Sequence, residues 1–217
     1  MKIIHETILE IDLNKLANNF KYLKSKLKPD TKIIAVVKAY AYGHGDTTIA
    51  SFLEKLGAHA LWVADFEEGT RIRQSGIKIP IIIANPGTKS TQKIIDNKLD
   101  VVIYNSELLH LYGKLDKEIK IHIKFDSGMN RYGFDFSEVD ELVANLKKYP
   151  KLKIQSICSH LAASDNSAED SFTNTQFQVF EKVSSSFSKG FNQLIDRHIL
   201  NTNGVLRFPN KEYEMVR

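Results

Sequence analysis

A single cysteine, Cys158, stands among 217 residues, which excludes an internal disulfide framework and fits a reducing compartment. No apolar run approaches the ~20 residues that span a bilayer. Charges interrupt the opening "MKIIHETILE", so it does not read as a signal peptide. An excess of one charge is lacking too: 30 Lys and Arg stand interspersed with 26 Asp and Glu, for a net of +4. That balance is too weak and too mixed for a nucleic-acid surface. No composition break or linker divides the chain, and "SSSFS" at 184–188 reads as a helix end. What remains is an ordinary globular composition, 42% hydrophobic and 26% charged, on a chain sized for one domain with a self-sufficient core. The expected setting is the cytoplasm, with no membrane or nucleic-acid partner and no metal site.

What is present is alternation. "TILEI" (7–11) reads as a short strand, and "DLNKLANNFKYLKSKL" follows with apolar residues at helical spacing and Asp12 as N-cap. Aliphatic strand candidates then recur at 33–37, 60–64, 80–84, 100–104, 119–125, 153–159 and 198–201, separated by helical stretches. "EYEMVR" at the end is an eighth. Strands alternating with helices imply βαβ units and a parallel sheet. Eight units close a (β/α)8 TIM-type barrel, whose site lies at the C-terminal ends of its strands. The competing topology is an open doubly wound sheet. "GHGD" is not a GxGxxG fingerprint, and no acidic residue stands where a ribose needs one, so the barrel is favoured.

In "KIIAVVKAYAYGHGD" (32–46) a lysine ends a buried aliphatic run. Lys38 there either snorkels to solvent or points into the barrel mouth, where burial frees its amine for a Schiff base with a carbonyl. Other strand ends also carry polar groups: Arg131 in "DSGMNRYGF", His160 after "KIQSICS", Asn201 and Thr202 after "HILN", and Arg217. Each has a plain structural alternative, such as a turn, a core histidine or a frayed terminus. A barrel, however, aims all of them at one pocket, and the small polar loop after strand seven is a frequent phosphate site.

These blocks together, "AVVKAYAYGHG", "HIKFDSGMNRYG", "SICSHLAASD", "RHILNTNGVLRFP" and "EYEMVR", resemble in order and spacing the motifs of alanine racemase, a fold-type III pyridoxal-phosphate enzyme. The resemblance runs from about residue 6 to the last residue. It implies interconversion of L- and D-alanine, supplying D-alanine for peptidoglycan, by a homodimer. It implies that Lys38 carries pyridoxal 5'-phosphate covalently and serves as one of two proton-transfer bases. Tyr42 and Thr202, shaped by Asn201, correspond to phosphate contacts, and His160 to the histidine packed on the pyridine ring. Arg131 corresponds to the arginine at the phenolic oxygen. Arg217 corresponds to the arginine at the ring nitrogen, with His198 behind it. Lys124 matches a lysine often carbamylated in the family.

The family's second base is a tyrosine from a C-terminal β domain of the partner subunit, and no tyrosine here matches it. Residues 1–217 are therefore expected to be the cofactor-binding barrel domain, cut short at its last unit, without that β domain and with little turnover alone. Tyr40 stands where the family has asparagine, and its bulk either narrows the mouth or only repacks it. Thr202 for serine and Ser127 for threonine keep their hydroxyls. Two rivals are a non-catalytic single-domain pyridoxal-phosphate carrier and an aldolase-like barrel using its lysine directly on a carbonyl substrate.

Overall fold

The computed structural model describes residues 7–217. Helix α1 (Leu13–Lys24) leads into β1 (Lys32–Val36), a one-turn segment α2 (Lys38–Tyr42), α3 (Asp46–Lys55) and β2 (Ala60–Val63). There follow α4 (Phe66–Gln74), β3 (Ile81–Ile83), α5 (Thr91–Asp96), β4 (Asp100–Ile103), α6 (Ser106–Gly113) and β5 (Ile119–Lys124). The last elements are α7 (Val139–Lys147), β6 (Leu152–Cys158), α8 (Asp170–Phe191), β7 (Asp196–His198), α9 (Thr202–Arg207) and β8 (Met215–Val216). All ladder pairs are parallel, in the order β7-β6-β5-β4-β3-β2-β1-β8. The remaining gap is bridged where Arg217 N–H donates to Leu200 O at 2.9 Å and Arg197 N–H to Glu214 Oε2 at 2.9 Å. The result is the expected eight-stranded barrel, nearly closed.

Side-chain alternation along the strands separates two cores. Leu61, Val63, Ile81, Ile83, Val101, Ile103, Ile121 and Ile123 point outward and pack with the helices. Ile34, Ala60, Trp62, Ile82, Val102, Cys158 and Met215 form a separate inner cluster. The interior is divided by chemistry as well: β4 to β7 add the buried Asp100, His122, Lys124, Ser156 and His198. A barrel interior is usually filled by branched apolar residues, so this polar half requires a partner for each group. A register shift between β5 and β6 pairs Ile121 with Ile154 but His122 with Ser156, leaving Gln155 as the extra residue. Such a bulge re-aims a side chain, and here it turns Ser156 inward beside His122.

Three expectations need correction. Residues 7–11 form no strand, and Ile8 and Leu9 are 71% and 70% exposed. Both edges of β1 are already paired, with β2 and β8, so no slot is left beside it for a further strand. The serines at 184–188 do not end a helix: α8 runs on to Phe191, because Val183, Ser184 and Phe187 continue the buried stripe of Phe177 and Phe180. Strand β7 begins two residues before the expected 198 and ends at His198. Asp12 does cap α1, accepting from Asn14 N at 2.8 Å and Lys15 N at 3.3 Å.

Candidate active site

Lys38 follows the carboxyl end of β1 and opens an unusual turn. Ala39, Tyr40, Ala41 and Tyr42 all have φ between 50° and 57°, so the chain makes one left-handed helical turn without glycine. For L-residues each such position costs roughly 1–2 kcal/mol, and strain of this kind collects at functional sites. The turn is held by Ala41 N–H to Val37 O at 3.0 Å and Gly43 N–H to Ala39 O at 3.0 Å. Glu68 of α4 fixes its start: Oε1 accepts from Ala39 N at 2.7 Å and Oε2 from Ala64 N at 2.8 Å. One carboxylate thus joins the lysine segment to the end of β2. Glu68 is absent from the sequence-derived candidates, since on a helix it looks like any exposed acid; only its position four residues after Ala64 could have drawn attention. Tyr40 does not narrow the mouth: it is 55% exposed and lies against the Arg71 guanidinium, 5.7 Å from ring centre to Cζ.

The loop after β5 carries Arg131. Asp126 Oδ1 accepts from Gly128 N at 2.8 Å and Asn130 N at 3.2 Å, making the expected turn. Gly133 closes it at φ +137°, where a Cβ would stand 2.3 Å from Asp126 N. Beside Arg131, Tyr132 stacks on Tyr104 with ring centres 4.6 Å apart. Gln176, fully buried in α8, joins this loop to the next: it donates to Ser127 Oγ at 3.4 Å and to His160 O at 3.1 Å, and accepts from Ala162 N at 2.9 Å. After β7, Asn201 Oδ1 accepts from Gly204 N at 2.8 Å and Ser164 Oγ at 2.7 Å, which sets the turn that presents Thr202.

Seven of the eight sequence-derived candidates line one cavity of about 730 Å³: Lys38, Tyr42, Arg131, His160, Asn201, Thr202 and Arg217. Lys124 lines it as well. The eighth, His198, is fully buried beneath Arg217. The Arg217 guanidinium contacts Ser159 O at 3.0 Å, His160 Nδ1 at 3.0 Å and His198 Nδ1 at 3.4 Å. Its Cζ also lies 4.3 Å from the centre of the Trp62 ring.

The electrostatics are one-sided. Lys38, Lys124, Arg131 and Arg217 line the cavity, and no Asp or Glu does among the described residues. None of the ion pairs among those residues includes any of the four. Burial, and then the Arg217 charge, holds the His160 imidazole down to about 3. The same two causes push His198 well below its ordinary value. Burial lowers Lys124 to about 8, against the opposing pull of Cys158. Two neutral imidazoles therefore accept from a guanidinium that cannot give up its charge, in a mouth suited to a ligand bearing several negative charges.

Fold and site together define a (β/α)8 barrel with a lysine-bearing, basic cavity at the carboxyl ends of its strands. The chain belongs to the alanine racemase family: residues 11–217 match the family described as alanine racemase, N-terminal domain. It is 34% identical to an alanine racemase of a Nostoc species over 96% of this chain and 56% of that protein. It is 32% identical to alanine racemase 1 of Oceanobacillus iheyensis over 96% of this chain and 57% of that one. Its fold superposes on alanine racemase of Clostridium difficile 630 with a TM-score of 0.92 at 30% identity, covering 100% of this chain and 58% of the other. A Bartonella henselae alanine racemase with covalently bound pyridoxal phosphate matches at a TM-score of 0.85 and 25% identity, over 95% of this chain and 60% of that one. The chain thus spans a little over half the length of the relatives it matches.

Proposed function

We propose that this chain is the cofactor-binding barrel of a pyridoxal-phosphate-dependent alanine racemase. The observation that carries this reading is the cavity itself, where Lys124, Arg131 and Arg217, and no acid among the described residues, converge around Lys38 at the end of β1. A phosphate and a phenolate would find there the charge complement that the protein does not supply from its own side chains. The donor set fits pyridoxal 5'-phosphate in each part. Tyr42 and Thr202 offer hydroxyls to the phosphate, with Asn201 holding the turn. Arg131 would serve the phenolic oxygen, and neutral His160 would offer an apolar face to the ring.

When bound, pyridoxal phosphate supplies the electron sink that makes the α-hydrogen of an amino acid removable. Lys38 anchors it and moves the α-proton on one face of the substrate. Arg217 only donates, so it would keep a pyridine nitrogen held there as an unprotonated acceptor and would moderate the sink. Inversion needs a second base on the opposite face. In this reading a tyrosine from a C-terminal β domain of the partner subunit supplies it, in a cytoplasmic homodimer making D-alanine for peptidoglycan. Lys124 is the position for a carbamate, whose charge would hold Arg131.

The test is to incubate the protein with pyridoxal phosphate, reduce with borohydride and map the adduct. The phosphopyridoxyl group is expected on Lys38 and absent from Lys38→Ala, whereas labelling of other lysines instead would refute the assignment. Conversion of L- to D-alanine is expected to be very low for these 217 residues alone and to rise when the β domain is supplied. An adduct on Lys38 with no racemisation under either condition would favour the carrier reading. Borohydride trapping only when a carbonyl substrate is present would favour the aldolase-like one.

A further inference from the structure

The polar half of the barrel interior is more than a set of satisfied side chains. Arg217 Nη1 lies 3.4 Å from His198 Nδ1; His198 Nε2 lies 3.2 Å from Ser156 Oγ; Ser156 Oγ lies 2.7 Å from His122 Nδ1. Among the described residues His122 Nε2 has no hydrogen-bond partner, and it faces Asp100 Oδ2 at 3.6 Å. Asp100 begins β4 and Arg217 follows β8, so the series runs from the N-terminal rim of the barrel to the C-terminal one.

We propose that Asp100, His122 and Ser156 are positioning residues for Arg217, joined through His198 into one series in which every N–H or O–H points away from the guanidinium and toward the Asp100 carboxylate. The direction follows from what each end can do. A guanidinium only donates, so His198 Nδ1 must accept and, in a neutral ring, the hydrogen sits on Nε2. That hydrogen goes to Ser156 Oγ. The serine has one hydrogen of its own, and the shortest contact in the series sends it to His122 Nδ1. The His122 hydrogen is then left on Nε2, facing the Asp100 carboxylate oxygen, which accepts. Reversing any one link sets two donors or two acceptors face to face. In a low-dielectric interior such alignment makes neighbouring bonds strengthen one another.

Two features of the fold support this beyond the contacts. The bulge at Gln155 turns Ser156 inward opposite His122, without which the series would be broken. And Arg217 has no acidic partner of its own among the described residues, so Asp100, reached through three polar side chains, is the acid the series brings to it from inside the barrel. His59, Lys32 and Asp196 also stand near that rim: burial, and then the Lys32 charge, lowers the His59 pKa against the opposing pull of Asp196 and Asp100, and Lys32 Nζ bonds Asp196 Oδ2 at 2.5 Å. Asp196 is thus engaged elsewhere and is the natural control.

The inference rests on the reading of Arg217 as the cofactor-facing group, but its test does not. Imidazole 15N NMR of the ligand-free protein reports which nitrogen carries the hydrogen. Both His122 and His198 are expected neutral with hydrogen on Nε2. In Asp100→Asn the His122 signal is expected to move toward the Nδ1–H form, and pyridoxal phosphate affinity to fall several-fold while the adduct still maps to Lys38. Asp196→Asn is expected to change neither. Hydrogen on Nδ1 of His122 in the unsubstituted protein would overturn the proposal whether or not the variants fold, as would equal effects of the two Asp substitutions. A missing adduct on Lys38 with the expected tautomers would sink the functional reading and leave the series standing.

Discussion

Arg217 Nη2 sits 3.0 Å from His160 Nδ1, and the guanidinium leaves that ring nitrogen only the role of acceptor. Burial first, and then the Arg217 charge, holds the imidazole down to about 3.

The first consequence is acid sensitivity. His160 is depressed to about 3 and His198 lies well below its ordinary value, while both return to about 6.5 on unfolding. The unfolded chain therefore binds more protons below that pH. Stability is fully present above about 6.5 and is lost as the pH falls from there toward 3. Urea midpoints measured between pH 7 and 4 should fall, and His160→Gln should flatten the fall. A flat profile would mean the imidazoles are protonated in the native protein.

Lys124 gives a second test. A buried amine with its pKa lowered to about 8 is partly unprotonated near neutral pH and can add carbon dioxide, releasing a proton. In 13C-labelled bicarbonate a carbamate resonance is expected, absent from Lys124→Ala. A resonance unchanged by that substitution would place the reaction at another amine.

Glu68 holds two backbone N–H groups on two different elements. Glu68→Ala leaves both without their charged acceptor and is expected to destabilise the protein by about 1–3 kcal/mol. The same substitution should loosen the lysine turn, seen as faster amide exchange at Ala39 and Ala41 than in Glu67→Ala. Equal exchange in the two variants would assign Glu68 to the surface.

The left-handed turn predicts a stabilising substitution. Ala39 is exposed at φ 50°, so Ala39→Gly relieves steric strain of ~1–2 kcal/mol against a rise in unfolded-chain entropy of ~0.4–1 kcal/mol. A net gain of about 0.5–1 kcal/mol in chemical denaturation is expected. A loss would show that Cβ contacts at residue 39 outweigh its backbone strain.

What the amino-acid order makes legible here is burial. Aliphatic runs such as Ile81–Ile83 and Val101–Ile103 located the strands, and the polar residues that end them met in one cavity, because a parallel barrel gathers those ends whatever their spacing along the chain. What it hides is geometry that differs from pattern. Ala39–Tyr42 has the composition of an ordinary helical turn and winds the other way. Gln155 shifts the ladder by one residue inside an unremarkable run. "TILEI" alternates like a strand but has no edge to pair with. The serines at 184–188 have weak helix propensity, yet Phe187 extends a buried stripe that outweighs it.

The amide of Arg217 closes the ring against Leu200 while its guanidinium looks into the cavity. In the proposed reading, docking of the last strand and delivery of Arg217 to the coenzyme's cavity are therefore one event. A chain whose last strand has not docked would offer that cavity without Arg217, and uptake of the coenzyme during refolding should track that final docking step rather than the earlier collapse of the core.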